Sequence, residues 1–131
     1  MERIADEQEM EEFAGTALGA LDRVPDELVD AEWQRLRHWL FDETLIPSRY
    51  KALLGVAVAA SLRCPYAARL QTELARVHGA SEAELVEAVE HAALIAGWGT
   101  RLSGLEASLT DFAAEVEKVI SHVAGRLGLQ P

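Results

Sequence analysis

The chain has 131 residues, of which half are hydrophobic, and a formal net charge of −10. This length suits one domain with a continuous core, so residues 1–131 are expected to form a single domain. The acidic balance argues against nucleic acid and anionic membranes as partners, because both are bound by clustered Lys and Arg. One cysteine excludes an internal disulfide. The sequence shows neither a signal-peptide pattern nor an apolar run long enough to span a membrane, and we therefore expect a cytoplasmic protein.

Two amphipathic helices are predicted at the N-terminal end, over residues 5–21 and 25–41. In the first, apolar residues recur at helical spacing beside a cluster of acids. We interpret that cluster as a solvated face and not as a metal site. The second helix begins at Pro25 and carries Trp33 and Trp39, and two tryptophans on one helix indicate packing more often than a ligand platform.

The third and fourth predicted helices meet at the cysteine. The third, over residues 47–62, is apolar throughout and is therefore expected to be buried on most sides, with Gly55 allowing a neighbouring helix to approach closely. Pro65 suits the first turn of the fourth helix, which places Cys64 at the N-terminus of that helix. Gly79 suits the left-handed position that ends it.

A capping box predicts the fifth helix, and a heptad pattern predicts the last one. Ser81 with Glu84 marks the start of a helix over residues 81–96. Over residues 100–127, apolar residues alternate at spacings of three and four. Such a seam needs a partner, either the first two helices or another copy of the chain, and we favour a homo-oligomer. The seam residues are Leu102, Leu105, Leu109, Phe112, Val116, Val119 and Val123.

The cysteine is the strongest candidate for chemistry. At a helix N-terminus, with Arg63 and Arg69 close in sequence, the helix dipole and the two cations favour thiolate over thiol. Because the thiolate is the reactive form, this position favours redox or nucleophilic chemistry at Cys64. A small buried hydrophobic residue is the alternative interpretation, and position alone leaves both open.

Residues 51–102 resemble the core of the carboxymuconolactone decarboxylase and AhpD-like alkylhydroperoxidase family. In that family an apolar helix precedes a C-x-x-C-x-x-x-H helix and a G-A-[ST]-x-x-E-[IL] turn, which here begins at Gly79. The resemblance implies an all-α bundle of about six helices, with the family core at about residues 47–105, assembled as a trimer, a hexamer or a larger ring. We expect neither a metal nor a cofactor, because the sequence has no zinc spacing and no glycine-rich phosphate loop.

Most of the family's reactive positions are replaced in this sequence. The first cysteine of the family corresponds to Cys64, but the second falls on Ala67, the histidine on Gln71 and the glutamate of the preceding helix on Ala52. A lone cysteine cannot close an intramolecular disulfide, and glutamine does not titrate near neutrality. The resemblance therefore implies the fold and a pocket but not two-cysteine chemistry.

Three functions remain open, and we rank them in order. The first is peroxide reduction by Cys64 as a lone nucleophile, recycled by a small-molecule thiol or a redox protein. The second is a catalytically inactive member of the family that binds a small molecule or a protein as an oligomeric scaffold. The third follows the decarboxylase branch, in which a histidine precedes a Gly-Trp-Pro turn; the resemblance implies that His91 moves a proton in a lactone pocket near Trp98 and that the turn here is Gly97-Trp98-Gly99. Tyr66 and Trp98 are the residues that we expect to line the pocket.

Overall fold

The computed structural model describes residues 7–129, and this part of the chain is all-helical, as predicted. A π-helical turn, Arg37–Phe41, continues the second helix. Among the described residues, no helix combines the length and apolar character needed to cross a membrane. The chain divides into two compact units after Ala92. The six α-helices are α1 (Glu7–Ala14), α2 (Val29–Leu36), α3 (Ser48–Leu62), α4 (Pro65–Val77), α5 (Glu82–Gly104) and α6 (Leu109–Arg126).

Trp33 of α2 is the centre of a small core near the N-terminus. Its side chain is fully buried and packs with Met10 and Val29. The indole N–H donates a 2.8 Å hydrogen bond to the Glu9 carboxylate, so its polar atom is satisfied as well. Trp33 is therefore a core residue, as predicted, whereas Trp39 is more than half exposed.

The first helix is shorter than the one predicted over residues 5–21. It ends at Ala14, because Gly15 adopts a left-handed φ of +78° that stops the helical repeat. Two 3₁₀ turns follow, Gly19–Arg23 and Asp26–Leu28. The prediction is wrong beyond Ala14, and residues 5 and 6 lie outside the described residues.

Helices α3 and α4 pack against each other and form the second core. The buried side chains at this contact are small, including Ala52 and Val56 of α3 and Ala75 of α4. Small side chains let helix axes approach closely while the interior stays densely packed. In the single chain α3 is buried on one side only, so the expectation of burial on most sides is wrong; its exposed apolar residues are Leu54, Val58 and Leu62.

Helix α5 continues to Gly104 instead of ending near residue 96. Gly97 and Gly99 both keep helical backbone, so the turn predicted at this point is wrong. A glycine within a helix costs only about 1 kcal/mol relative to alanine. That cost is too small to end a helix that its other residues stabilise.

The predicted heptad seam is divided between two helices. Leu102 lies on α5, and the chain then turns, with Glu106 at a left-handed φ of +53°. Ser108 begins α6 by accepting a 3.1 Å hydrogen bond from the Asp111 N–H. The prediction of one continuous helix over residues 100–127 is therefore wrong. The part of the seam that lies on α6 consists of Leu109, Phe112, Val116, Val119 and Val123.

Candidate functional site

A tight turn between α3 and α4 positions the cysteine. Arg63 takes a left-handed φ of +53° and ends α3. The N–H of Cys64 then donates back to the carbonyl of Ala59 at 3.0 Å, which satisfies one of the last carbonyls of the helix. Pro65 follows as the first residue of α4. Cys64 is therefore the N-terminal cap of α4, as predicted.

The thiol of Cys64 acts as the capping group. Its Sγ accepts a hydrogen bond from the backbone N–H of Ala67, with an N···S distance of 3.4 Å. The side chain is half-buried, so solvent reaches it in part. A backbone N–H is thus directed at the sulfur, at the N-terminal end of α4. The alanine at the family's second-cysteine position thus contributes through its backbone.

A cavity of about 240 Å³ lies between α4, α3 and the residues that precede α3. We name it the Gln71 cavity. Its lining includes Ala52 and Gln71, so two of the positions at which this sequence departs from the family border the same space. Cys64 lies seven residues before Gln71 on α4, which is roughly 10 Å along the helix axis. Further lining residues are Trp39, Lys51, Gly55, Leu74 and His78.

The side chain of Gln71 lies directly over the backbone of α3 at Gly55. A Cβ added at Gly55 would be 2.2 Å from the Oε1 of Gln71 and 2.7 Å from its Cγ. Only glycine therefore leaves room for this arrangement. Within the described chain the Gln71 amide has no hydrogen-bond partner, and it is not sealed from solvent. Its donor and acceptor atoms are free to contact a bound molecule.

The other predicted site residues lie elsewhere. Tyr66 is almost fully exposed on the first turn of α4. His91 is exposed on α5 and borders a separate cavity of about 380 Å³ that also includes Glu84 and Glu87. Trp98 is half-exposed, and the guanidinium of Arg101 lies 4.7 Å from its ring centroid. Among residues 7–129, no group of three or more His, Cys, Asp and Glu side chains is arranged to hold a metal ion.

Lys51 and His78 line the Gln71 cavity, but sequence reasoning did not select them. A signal for His78 existed, because it follows Gln71 by seven residues and so shares a face of α4 with it. Lys51 precedes Ala52 directly, within the segment aligned with the family. Its approach to α4 depends on how the two helices pack, which periodicity alone does not specify.

Comparison with known proteins gives the family of this chain. The sequence model of the carboxymuconolactone decarboxylase family matches residues 27–109, well over half of the chain. A search of curated proteins gives no significant match, and neither does a search of solved structures. The matched range contains α2 to α5 and the whole Gln71 cavity. The resemblance first seen over residues 51–102 is confirmed, and the chain belongs to the carboxymuconolactone decarboxylase family.

Proposed function

We propose that this chain reduces hydroperoxides through Cys64 and is recycled by an external thiol. The observation that carries the proposal is the hydrogen bond from the Ala67 N–H to the Cys64 Sγ at the N-terminus of α4. The thiolate is the form of cysteine that attacks peroxides, and this contact directs a backbone N–H at the sulfur that reacts. Half-burial leaves the sulfur accessible to a small oxidant. Membership of the family supports the same chemistry, although three of its usual groups are replaced here by Ala52, Ala67 and Gln71.

The reaction balances without a second cysteine in the chain. The Cys64 thiolate attacks one oxygen of the hydroperoxide, the O–O bond breaks, and the other oxygen leaves and takes a proton as an alcohol or water. Cys64 is then a sulfenic acid. An external thiol condenses with it to a mixed disulfide and releases water. A second external thiol attacks the mixed disulfide, which restores Cys64 and yields an external disulfide.

Trapping of the sulfenic acid tests this proposal. We expect hydrogen peroxide or cumene hydroperoxide, in the presence of dimedone, to give one dimedone adduct per chain, mapped to Cys64 by mass spectrometry. The variant Cys64→Ser keeps the side-chain size and should give none. Thiol-dependent consumption of hydroperoxide should disappear in the same variant. Absence of both the adduct and the turnover in the wild-type chain would refute the proposal.

The second candidate is a binding scaffold without catalysis. It is favoured by one observation, namely that Ala52 and Gln71 line a cavity with an unpartnered amide. A cavity without a titrating group at those positions is suited to binding and not to proton transfer. The same turnover measurement separates the candidates, because a scaffold consumes no hydroperoxide at enzymatic rates.

A further inference from the structure

The polar lining of the Gln71 cavity carries donors but no acid. Its polar side chains belong to Ser48, Lys51, Gln71 and His78, and no Asp or Glu is among the described residues that line it. The Ser48 hydroxyl donates to the Glu43 carboxylate at 3.4 Å, so that donor is already used within the chain. The whole chain has 22 Asp and Glu residues against 12 Lys and Arg. A cavity lined by a lysine and by no carboxylate, in so acidic a chain, is suited to a negatively charged molecule.

Lys51 is the cation that such a molecule would meet. Its side chain is half-buried, and its Nζ donates one hydrogen bond of 3.1 Å to the backbone carbonyl of Asp42. An ammonium has three donors, so two remain. Within the described chain no carboxylate pairs with Lys51, whereas Arg35 and Arg76 each form ion pairs. A half-buried ammonium without a counter-ion is stabilised when an anion binds beside it.

The remaining lining is apolar and limits the size of the ligand. Trp39, Leu40 and Leu74 line the Gln71 cavity. Its volume of about 240 Å³ is below the range of roughly 300–1,000 Å³ typical of pockets for drug-sized molecules. A molecule with one ring or a short chain therefore suits it. A neighbouring cavity of about 550 Å³ shares Trp39 and Lys51 but also contains Glu43, whose carboxylate would repel an anion.

We propose that the Gln71 cavity binds a small apolar monocarboxylate. The carboxylate accepts hydrogen bonds from the Lys51 ammonium and from the Gln71 amide. The apolar part of the ligand packs on Trp39 and Leu74. Because the site does not include Cys64, binding is independent of the redox chemistry proposed above, and Cys64→Ser should bind as the wild-type chain does.

Benzoate, with benzyl alcohol as its uncharged counterpart, is the probe that tests this site. We expect isothermal titration calorimetry to show benzoate binding to the wild-type chain at least about tenfold more tightly than benzyl alcohol, since a charge-assisted hydrogen bond contributes that much. Lys51→Gln should reduce this preference to near unity. Lys118→Gln is the matched control, because Lys118 is the only other lysine, lies exposed on α6 and should leave benzoate binding unchanged.

Comparing benzoate with benzyl alcohol on the wild-type chain needs no variant, so this comparison tests the proposal even if Lys51→Gln fails to fold. Equal affinity for benzoate and benzyl alcohol would overturn the proposal. Absence of benzoate binding, or full binding by a folded Lys51→Gln chain, would also overturn it. Lys51→Arg keeps the charge and should retain the preference.

Discussion

Gly55 is the residue whose missing side chain shapes the Gln71 cavity. We expect Gly55→Ala to fall about 1 kcal/mol short of the stabilisation that alanine usually brings to a helix interior, because the new Cβ forces the Gln71 side chain out of its place over α3. Urea denaturation followed by circular dichroism measures the change. The sequence predicted a close approach at Gly55, but the group that approaches is a side chain of α4 and not a helix backbone.

A helical glycine in open space provides the control. A Cβ added at Gly97 of α5 would have no atom within 4 Å, so Gly97→Ala should raise the free energy of unfolding by about 0.5–1 kcal/mol. The double variant Gly55→Ala with Gln71→Ala should recover most of the stabilisation that Gly55→Ala alone lacks, since the clash is removed. If Gly55→Ala stabilises the chain as much as Gly97→Ala does, the packing of Gln71 on α3 is disproved.

At the scale of elements, the start of α5 depends on a reciprocal cap. Ser81 Oγ accepts the Glu84 N–H and Glu84 Oε1 accepts the Ser81 N–H, both at 3.0 Å. The hydrogen bond from the Ser81 backbone lowers the pKa of Glu84, and the charge of Arg49 adds to this effect. A carboxyl whose pKa is lowered by folding stabilises the fold above its ordinary pKa. That stabilisation is lost as the pH falls through the lowered value.

We therefore expect the free energy of unfolding of Glu84→Gln to fall less steeply than that of the wild-type chain as the pH is lowered below neutrality. At neutral pH the variant should be less stable than the wild-type chain, because the charged cap is gone. Below the lowered pKa the two should converge, since the wild-type carboxyl is then neutral. Urea unfolding at several pH values measures this, and Glu87→Gln, which removes an acid without a capping contact on the same helix, should leave the profile unchanged. Parallel profiles for Glu84→Gln and the wild-type chain would contradict the prediction.

Short sequence motifs predicted the helix caps correctly, whereas the features that depend on packing between helices were missed. Cys64 caps α4 and Gly79 has a φ of +91°, as the sequence indicated, because each feature depends on a few adjacent residues. The end of α5 was placed too early, since glycine in a helix is a weak signal. The contact of Lys51 with the Gln71 cavity joins residues from two helices, and no periodic pattern encodes the register between them.

At the scale of the whole molecule, α6 exposes more apolar surface than a monomer usually does. Along its seam, the exposed fraction ranges from 40% at Val116 to 79% at Leu109. Soluble monomers rarely present a continuous apolar stripe of this kind. A stripe at heptad spacing is buried most directly by another helix with the same pattern, and a second copy of the chain provides one.

We expect the purified chain to be a homo-oligomer at micromolar concentration, with α6 at the contact. Sedimentation velocity should give a multiple of the 14.3 kDa chain mass. Val116→Glu places a charge in the seam, where burial without a partner is unfavourable, and should shift the population towards smaller species. Ser121→Glu adds the same charge on the opposite face of α6 and should leave the distribution unchanged. A wild-type chain that sediments as a monomer would contradict the prediction. An equal effect of both variants would show that net charge, and not the seam, controls assembly.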